Sequence, residues 1–200
     1  MPNLNTTNDI KLWMLIIGCT PKGRHTEQHD VYFGIGHTIQ DVLPQLNDFW
    51  PEAAGKMHLD AYQAITQVDG YDIHIIPSTI TKSSKGTQLF FINLGGYKPG
   101  IMEEFHYKLV TVAHNKAEAI QAAKLTAFYK HTGYKGAASH IDDKYGIDVD
   151  DLYAIQDILP KALKQQYSIK LTKAKHTIQD ELHIGYFKLS KLAKSHTTNT

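Results

Sequence analysis

The sequence predicts an α+β fold made of two tandem ββαββ-like repeats with mainly antiparallel sheet, related by an approximate two-fold axis. The apolar segment Leu12–Gly18 recurs as Leu89–Gly95, and the E-x-H motif at 27–29 recurs at 104–106, always 77 residues later. A constant offset across separate motifs indicates an internal duplication. Strands do not alternate regularly with helices, which disfavours a parallel doubly wound sheet and favours α+β.

The first repeat is predicted to cover residues 11–77, after a flexible N-terminus at 1–10. The continuous apolar run Leu12–Ile17 predicts a buried strand. Apolar residues at positions 31, 33 and 35 alternate onto one face and predict a second strand. Thr38 and Asp41 form a capping-box-like start for a helix, with Pro44 expected in its first turn because an interior proline costs about 3 kcal/mol. Asp-Gly at 69–70, between apolar arms, predicts a hairpin.

The second repeat is predicted to cover residues 88–174, after a linker at 78–87. Leu89–Leu94 and Tyr107–Ala113 predict strands, and Asn115 with Glu118 predicts the start of a helix that runs to about Tyr129. The motif at 140–142 is matched to the motif at 58–60. Residues 175–200 are expected to form a C-terminal tail. The two repeats together are expected to make one compact domain.

Composition excludes several classes of protein. The 21 Lys and Arg residues nearly balance the 20 Asp and Glu residues, so nothing favours nucleic acid or a membrane surface as partner. The single cysteine, Cys19, excludes an intramolecular disulfide and fits a reducing compartment. The N-terminus lacks the pattern of a secretory signal, and the longest apolar run is too short to cross a bilayer. We therefore expect a soluble cytoplasmic protein.

Several short motifs occur in one order between residues 12 and 172. They are Glu27/His29/Asp30, His58/Asp60, Asp69-Gly70-Tyr71, Asn93–Tyr97, Glu104/His106 and His140/Asp142/Asp143. In this combination the chain resembles a bacterial family known as domain of unknown function fifteen-forty-three. The resemblance implies a small cytoplasmic bacterial protein and assigns no catalytic role to any residue.

The same motifs supply the candidate site, a polar cluster. Its members are Glu27, His29, His58, Asp60, Glu104, His106, His140 and Asp142. A spacing of two places both side chains of each motif on one face of an extended chain. If the motifs converge, each repeat offers two imidazoles and two carboxylates, a set that suits Zn, Mn, Fe or Ni. Glu27, His29, His58 and Asp60 are then the predicted metal ligands.

Two hypotheses for function follow, and the sequence leaves open whether the protein is an enzyme. The favoured one is a non-catalytic binding or interaction module, monomer or homodimer, in which the cluster is a structural hydrogen-bonded network. It predicts side chains saturated by protein hydrogen bonds and no cavity beside them. The alternative is a metal-dependent enzyme acting on a small molecule, which predicts ligand distances and a concave pocket. The sequence identifies neither a substrate nor a cofactor.

Overall fold

The computed structural model describes residues 10–78, 86–97, 100–125 and 148–194. The chain divides into two compact units, one formed by Met1–Ile80 with Leu159–Thr200 and the other by Thr81–Ile158. In each unit the described strands pair antiparallel. The predicted α+β class with mainly antiparallel sheet is therefore confirmed.

The larger sheet of the first unit has four strands in the order β10-β3-β1-β2. They are β1 (Lys11–Cys19), β2 (Gln28–Gly36), β3 (His58–Ile65) and β10 (Leu182–Lys188). The central strand β1 packs Trp13, Leu15 and Ile17 into the apolar core on one face. Alternation along the strand therefore turns Gly18 to the opposite face, where the candidate site lies.

A broken helical segment covers the core face of β1. It consists of α1 (Ile39–Val42), a 3₁₀ turn (Leu43–Gln45), α2 (Leu46–Phe49) and a second 3₁₀ turn (Pro51–Ala53). Pro44 lies in the first 3₁₀ turn, because proline has no N–H to continue an α-helical ladder. The predicted helix is thus divided in two at Pro44, while Val42 and Leu46 still reach the core.

The start of this segment carries the predicted capping box. The backbone N–H of Thr38 donates to Asp41 Oδ2 at 2.8 Å, and Thr38 Oγ1 donates to the same oxygen at 3.1 Å. The Thr38 backbone hydrogen bond is the main cause that lowers the pKa of the Asp41 carboxyl. Because this pKa is depressed in the folded state, the stabilisation is complete above the unfolded-state pKa of about 3.9 and is lost as pH falls through the folded value.

We expect Asp41→Ala to lower the free energy of unfolding by about 1 kcal/mol at pH 7, as loss of a helix cap does. Urea unfolding measures this difference, which should shrink as pH drops below about 3.9. Asp48→Ala, at another exposed carboxylate of the segment, serves as the control and should change stability little. Equal losses in both variants would contradict the assignment.

The predicted hairpin is confirmed in a small second sheet. The strands β4 (Gln67–Val68) and β5 (Tyr71–Pro77) pair across Asp69 and Gly70, whose φ angles of 51° and 73° are those of a type I′ turn. The strand β9 (Tyr167–Lys173) pairs with the other edge of β5.

The segment after residue 158 belongs to the first unit, which differs from the predicted division at 174. It contains α5 (Lys161–Gln166), β9, β10 and α6 (Leu189–Leu192). Residues 167–173 fall in the predicted second repeat, yet they pair with β5 of the first unit. Residues 182–188 fall in the predicted tail, yet they pair with β3. Both strands satisfy backbone groups that would otherwise form an open sheet edge.

The second unit contains a three-stranded sheet in the order β7-β6-β8. Its elements are β6 (Gln88–Tyr97), β7 (Glu104–Ala113), α3 (Lys116–Leu125), β8 (Asp148–Ala154) and α4 (Ile155–Ile158). The predicted strands at 89–94 and 107–113 are confirmed. The cap of α3 forms as expected, since the Glu118 N–H donates to Asn115 Oδ1 at 3.0 Å. The predicted continuation to Tyr129, and the residues His140 and Asp142, lie outside the described residues.

None of the described helices has the length and apolar character needed to span a membrane.

Candidate metal centre

The site of the first unit is built around Gly18, near the end of the central strand. Gly18 pairs with His29 on β2 and with His58 on β3, so the two histidines flank it on one face of the sheet. A Cβ atom at residue 18 would lie 2.5 Å from His58 Nε2 and 2.9 Å from Asp60 Oδ2. Only glycine leaves room for both side chains over the strand.

A β-bulge brings Asp60 into the same place. The pairs Ile17–Leu59 and Ile16–Ala61 are successive on β1, so that Asp60 is the extra residue of β3 and has no partner on β1. Bulges change the direction of a side chain and are frequent beside functional sites. Here the bulge lies within two residues of His58 and places the Asp60 carboxylate against both imidazoles.

The four side chains form a closed ring in which carboxylates and imidazoles alternate. Glu27 Oε1 lies 3.2 Å from His58 Nε2, and Glu27 Oε2 lies 3.4 Å from His29 Nε2. Asp60 Oδ1 lies 3.1 Å from His58 Nε2, and Asp60 Oδ2 lies 3.1 Å from His29 Nε2. Each carboxylate therefore spans both imidazoles, one oxygen to each. All four metal ligands predicted from the sequence meet here.

These short contacts are not all hydrogen bonds. His58 Nε2 and Asp60 Oδ2 are buried and lack a hydrogen-bonding partner, because the neighbouring atoms are close but not aligned with an N–H donor. An unsatisfied buried polar group costs about 1–3 kcal/mol. The four nitrogen–oxygen distances of 3.1–3.4 Å match those between neighbouring ligands of one cation. With bonds of about 2.1 Å, such atoms lie about 3.0 Å apart in an octahedral site and about 3.4 Å apart in a tetrahedral one.

One side of His58 is covered by the edge strand β10. The pairs Ile184–Ala61 and Phe187–Leu59 enclose a second bulge, and Gly185 within it has a φ of 147°. This bulge places the Tyr186 ring 4.2 Å from the His58 ring, measured between centroids, with 30° between the planes. The side chain of His58 is consequently only 5% exposed.

The ring of four side chains is exposed to solvent on the side of Glu27 and His29. The side chains of Glu27 and His29 are 41% and 44% exposed. His29 also borders a cavity of about 660 Å³, which is lined by Pro21, Lys22, Arg24, Gln28, His29, Asp30, Trp50 and Glu52. The ring is therefore open to solvent at Glu27 and His29, and His29 connects it to the cavity.

A related cluster lies in the second unit around Gly95. Gly95 pairs with His106 on β7 and with residue 148 on β8. His106 Nε2 lies 3.2 Å from Asp150 Oδ2 and 3.8 Å from Glu104 Oε2. One ligand atom from each of the three residues lies within 4.8 Å of the others. The predicted pair Glu104 and His106 thus meets a third residue that the sequence analysis missed, Asp150.

The register explains why Asp150 was missed. The pairs Leu94–Val149 and Asn93–Asp151 leave Asp150 as the extra residue of a bulge, as Asp60 is in the first unit. The sequence match placed 140–142 opposite 58–60, because it aligned histidine with histidine. An apolar residue followed by aspartate, common to 59–60 and 149–150, is the signal that would have found it.

Comparisons with known proteins support the fold and a family. No curated protein matches the chain. The structure is similar to the crystal structure of a protein Il1583 from Idiomarina loihiensis, at 22% identity and a TM-score of 0.54 over 90% of this chain and 98% of that one. This identity shows a shared fold alone. A family model described as Domain of Unknown Function (DUF1543) matches residues 24–75, which include all four residues of the ring. Residues 24–75 therefore match the DUF1543 family, as the motifs predicted.

Proposed function

We propose that this protein is a metal-binding module whose first unit holds a divalent transition-metal ion between Glu27, His29, His58 and Asp60. The observation that carries the proposal is the environment of His58 Nε2. This buried nitrogen lies 3.1 and 3.2 Å from two carboxylate oxygens and has no aligned hydrogen bond to either.

A purely structural network accounts less well for the same atoms. Such a network would be expected to saturate its buried members with hydrogen bonds, since buried polar groups are almost always paired. Here Asp60 Oδ2 is also left without one, although His29 Nε2 is 3.1 Å away. A divalent cation among the four side chains would accept the nitrogen lone pairs and balance the two carboxylate charges together.

The donor set narrows the choice of metal. Two imidazole nitrogens and two carboxylates suit Zn²⁺, and also Fe²⁺, Mn²⁺ and Ni²⁺. For this kind of site the affinity of Zn²⁺ exceeds that of Mn²⁺ and Fe²⁺. We therefore take Zn²⁺ as the first ion to test.

The cavity beside His29 favours a second candidate, a metal-dependent enzyme acting on a small molecule. Its volume of about 660 Å³ is in the range of small-molecule pockets. A metal held beside it would supply Lewis-acid chemistry or an activated water. Arg24 and Lys22 in the lining would orient an anionic group of such a molecule.

The test is metal analysis of the purified, untagged full chain after chelation and reloading with Zn, Mn, Fe or Ni salts. We expect the wild type to retain zinc, and His29→Ala/His58→Ala to lose one equivalent. His29→Ala alone should also lose it, and because the His29 side chain is 44% exposed, this substitution removes little from the core. His176→Ala, at an exposed histidine of the same unit, is the matched control and should keep the full zinc content.

A wild type that retains none of the four metals would overturn the proposal and leave the ring as a structural network. Zinc that persists unchanged in both histidine variants would also overturn it, because the ion would then be bound elsewhere.

A further inference from the structure

We infer that the second unit contains a separate cation site, formed by Glu104, His106 and Asp150, that binds Mn²⁺. The inference rests on the geometry of the second unit and does not depend on a metal in the first. Its starting point is the convergence of one imidazole nitrogen and two carboxylates within 4.8 Å of one another.

A glycine makes room for the side chains of this site, as Gly18 does in the first unit. A Cβ atom at residue 95 would overlap the Asp150 carboxylate, so glycine at this position is what lets the carboxylate lie over the strand. The carboxylate reaches that position from a bulge, which interrupts the pairing of β8 with β6. Glycine, E-x-H and bulge aspartate thus recur in both units at equivalent positions of the register, which supports the predicted internal duplication.

A buried oxygen on the same face of β6 supports the presence of a ligand in this unit. Asn93 shares the Gly95 face of β6, since the two residues are two apart. Its Nδ2 donates to Asp151 Oδ2 at 3.2 Å, but its Oδ1 is buried and has no hydrogen-bonding partner. A buried amide oxygen of this kind usually accepts a hydrogen bond from a water or contacts an ion.

The two sites differ in their donors. Residue 148 pairs with Gly95 as His58 pairs with Gly18, and it is an aspartate in the sequence. The residues that correspond to Ile16 and Ala61 in the first unit are Asn93 and Asp151 in the second. The second site therefore has one imidazole where the first has two, and the neighbouring pair of residues is polar instead of apolar.

This difference sets the expected metal. Carboxylates and water suit Mn²⁺, whereas sites with more imidazole favour Zn²⁺. The side chains of Glu104, His106 and Asp150 are 30–37% exposed, so a bound ion would keep several waters. We expect the second site to bind Mn²⁺ more weakly than the first unit binds Zn²⁺.

The experiment titrates the full chain, freed of metal by a chelator, with Mn²⁺ alone. The electron paramagnetic resonance signal of free Mn²⁺ monitors the titration. The His29→Ala/His58→Ala variant serves as background, so that only the second unit contributes to Mn²⁺ binding. In this background, Asp150→Asn and His106→Ala should each weaken Mn²⁺ binding by at least about ten-fold. His114→Ala, at an exposed histidine of the same unit, should leave it unchanged.

Absence of Mn²⁺ binding in the background variant would overturn the inference, as would binding that Asp150→Asn and His106→Ala leave unaltered. Neither outcome bears on the first unit, because zinc retention by the wild type is measured separately. Conversely, a wild type that does not retain zinc would leave the inference of Mn²⁺ binding by the second unit unaffected.

Discussion

Gly18→Ala is expected to weaken zinc binding to the first unit by about 100-fold. The added Cβ would lie 2.5 Å from His58 Nε2 and 2.9 Å from Asp60 Oδ2, so both ligands must move away from the positions that close the ring. His58 is held beneath Tyr186 and has little space to move. We expect the strain to lower the free energy of unfolding by about 1–3 kcal/mol as well. Zinc titration and urea unfolding of the same preparation measure both effects.

Gly86→Ala is the matched control for this change, because a Cβ at residue 86 meets no other atom within 4 Å. It should bind zinc like the wild type. The double variant Gly18→Ala/His58→Ala tests the cause: if the strain arises from contact with the imidazole, adding Gly18→Ala should cost less stability in the His58→Ala background than in the wild type. Wild-type zinc affinity in Gly18→Ala would refute the steric account of the site.

The local features of the fold were predictable because each depends on residues close in sequence. The apolar run at 12–17 predicted the central strand, Asp69-Gly70 predicted the type I′ turn, and Thr38 with Asp41 predicted a helix start. Pro44 was recognised as unfavourable in a helix, but its place in a 3₁₀ turn depends on packing of Val42 and Leu46 against β1. That packing is a tertiary property, which local spacing does not contain.

The first site was predictable for a similar reason. A spacing of two in E-x-H and H-x-D fixes both side chains of a motif on one face, so that one strand pairing suffices to bring the motifs together. The four residues selected from the sequence lie together in the ring, and their role as metal ligands stays a prediction. Its geometry nevertheless depends on the bulge at Asp60, and a bulge shifts register by one residue without any signal in motif spacing.

An equivalent bulge at Asp150 accounts for what was missed in the second unit. Aligning the histidines at 58 and 140 ignored the pairing partner of Gly95, which is residue 148. Partners that are distant in sequence were also out of reach: β10 joins β3 across more than a hundred residues, and Tyr186 thereby covers His58. No periodicity in the sequence links these two positions.

Tyr186→Ala is expected to weaken zinc binding in the first unit by about ten-fold, the effect typical of residues that orient a metal ligand. Tyr186 contacts His58 through its ring and is otherwise 65% exposed, so its loss removes little from the core. Without the tyrosine ring, the His58 imidazole loses the contact that fixes its plane, and solvent competes with the metal for Nε2. Zinc titration compares the variant with the wild type, and Leu182→Ala, an exposed residue of the same strand, serves as the control.

Two further variants separate orientation of His58 from other roles of Tyr186. Tyr186→Phe keeps the stacked ring and should bind zinc within about two-fold of the wild type, since the proposed role needs no hydroxyl group. Gly185→Ala keeps the tyrosine but forces a residue with a side chain to adopt a φ of 147°, which only glycine adopts readily. It should therefore displace the ring and reproduce the loss seen in Tyr186→Ala. Equal losses in Tyr186→Phe and Tyr186→Ala would instead assign the effect to the hydroxyl group, and unchanged binding in all three variants would make Tyr186 a surface residue without influence on the site.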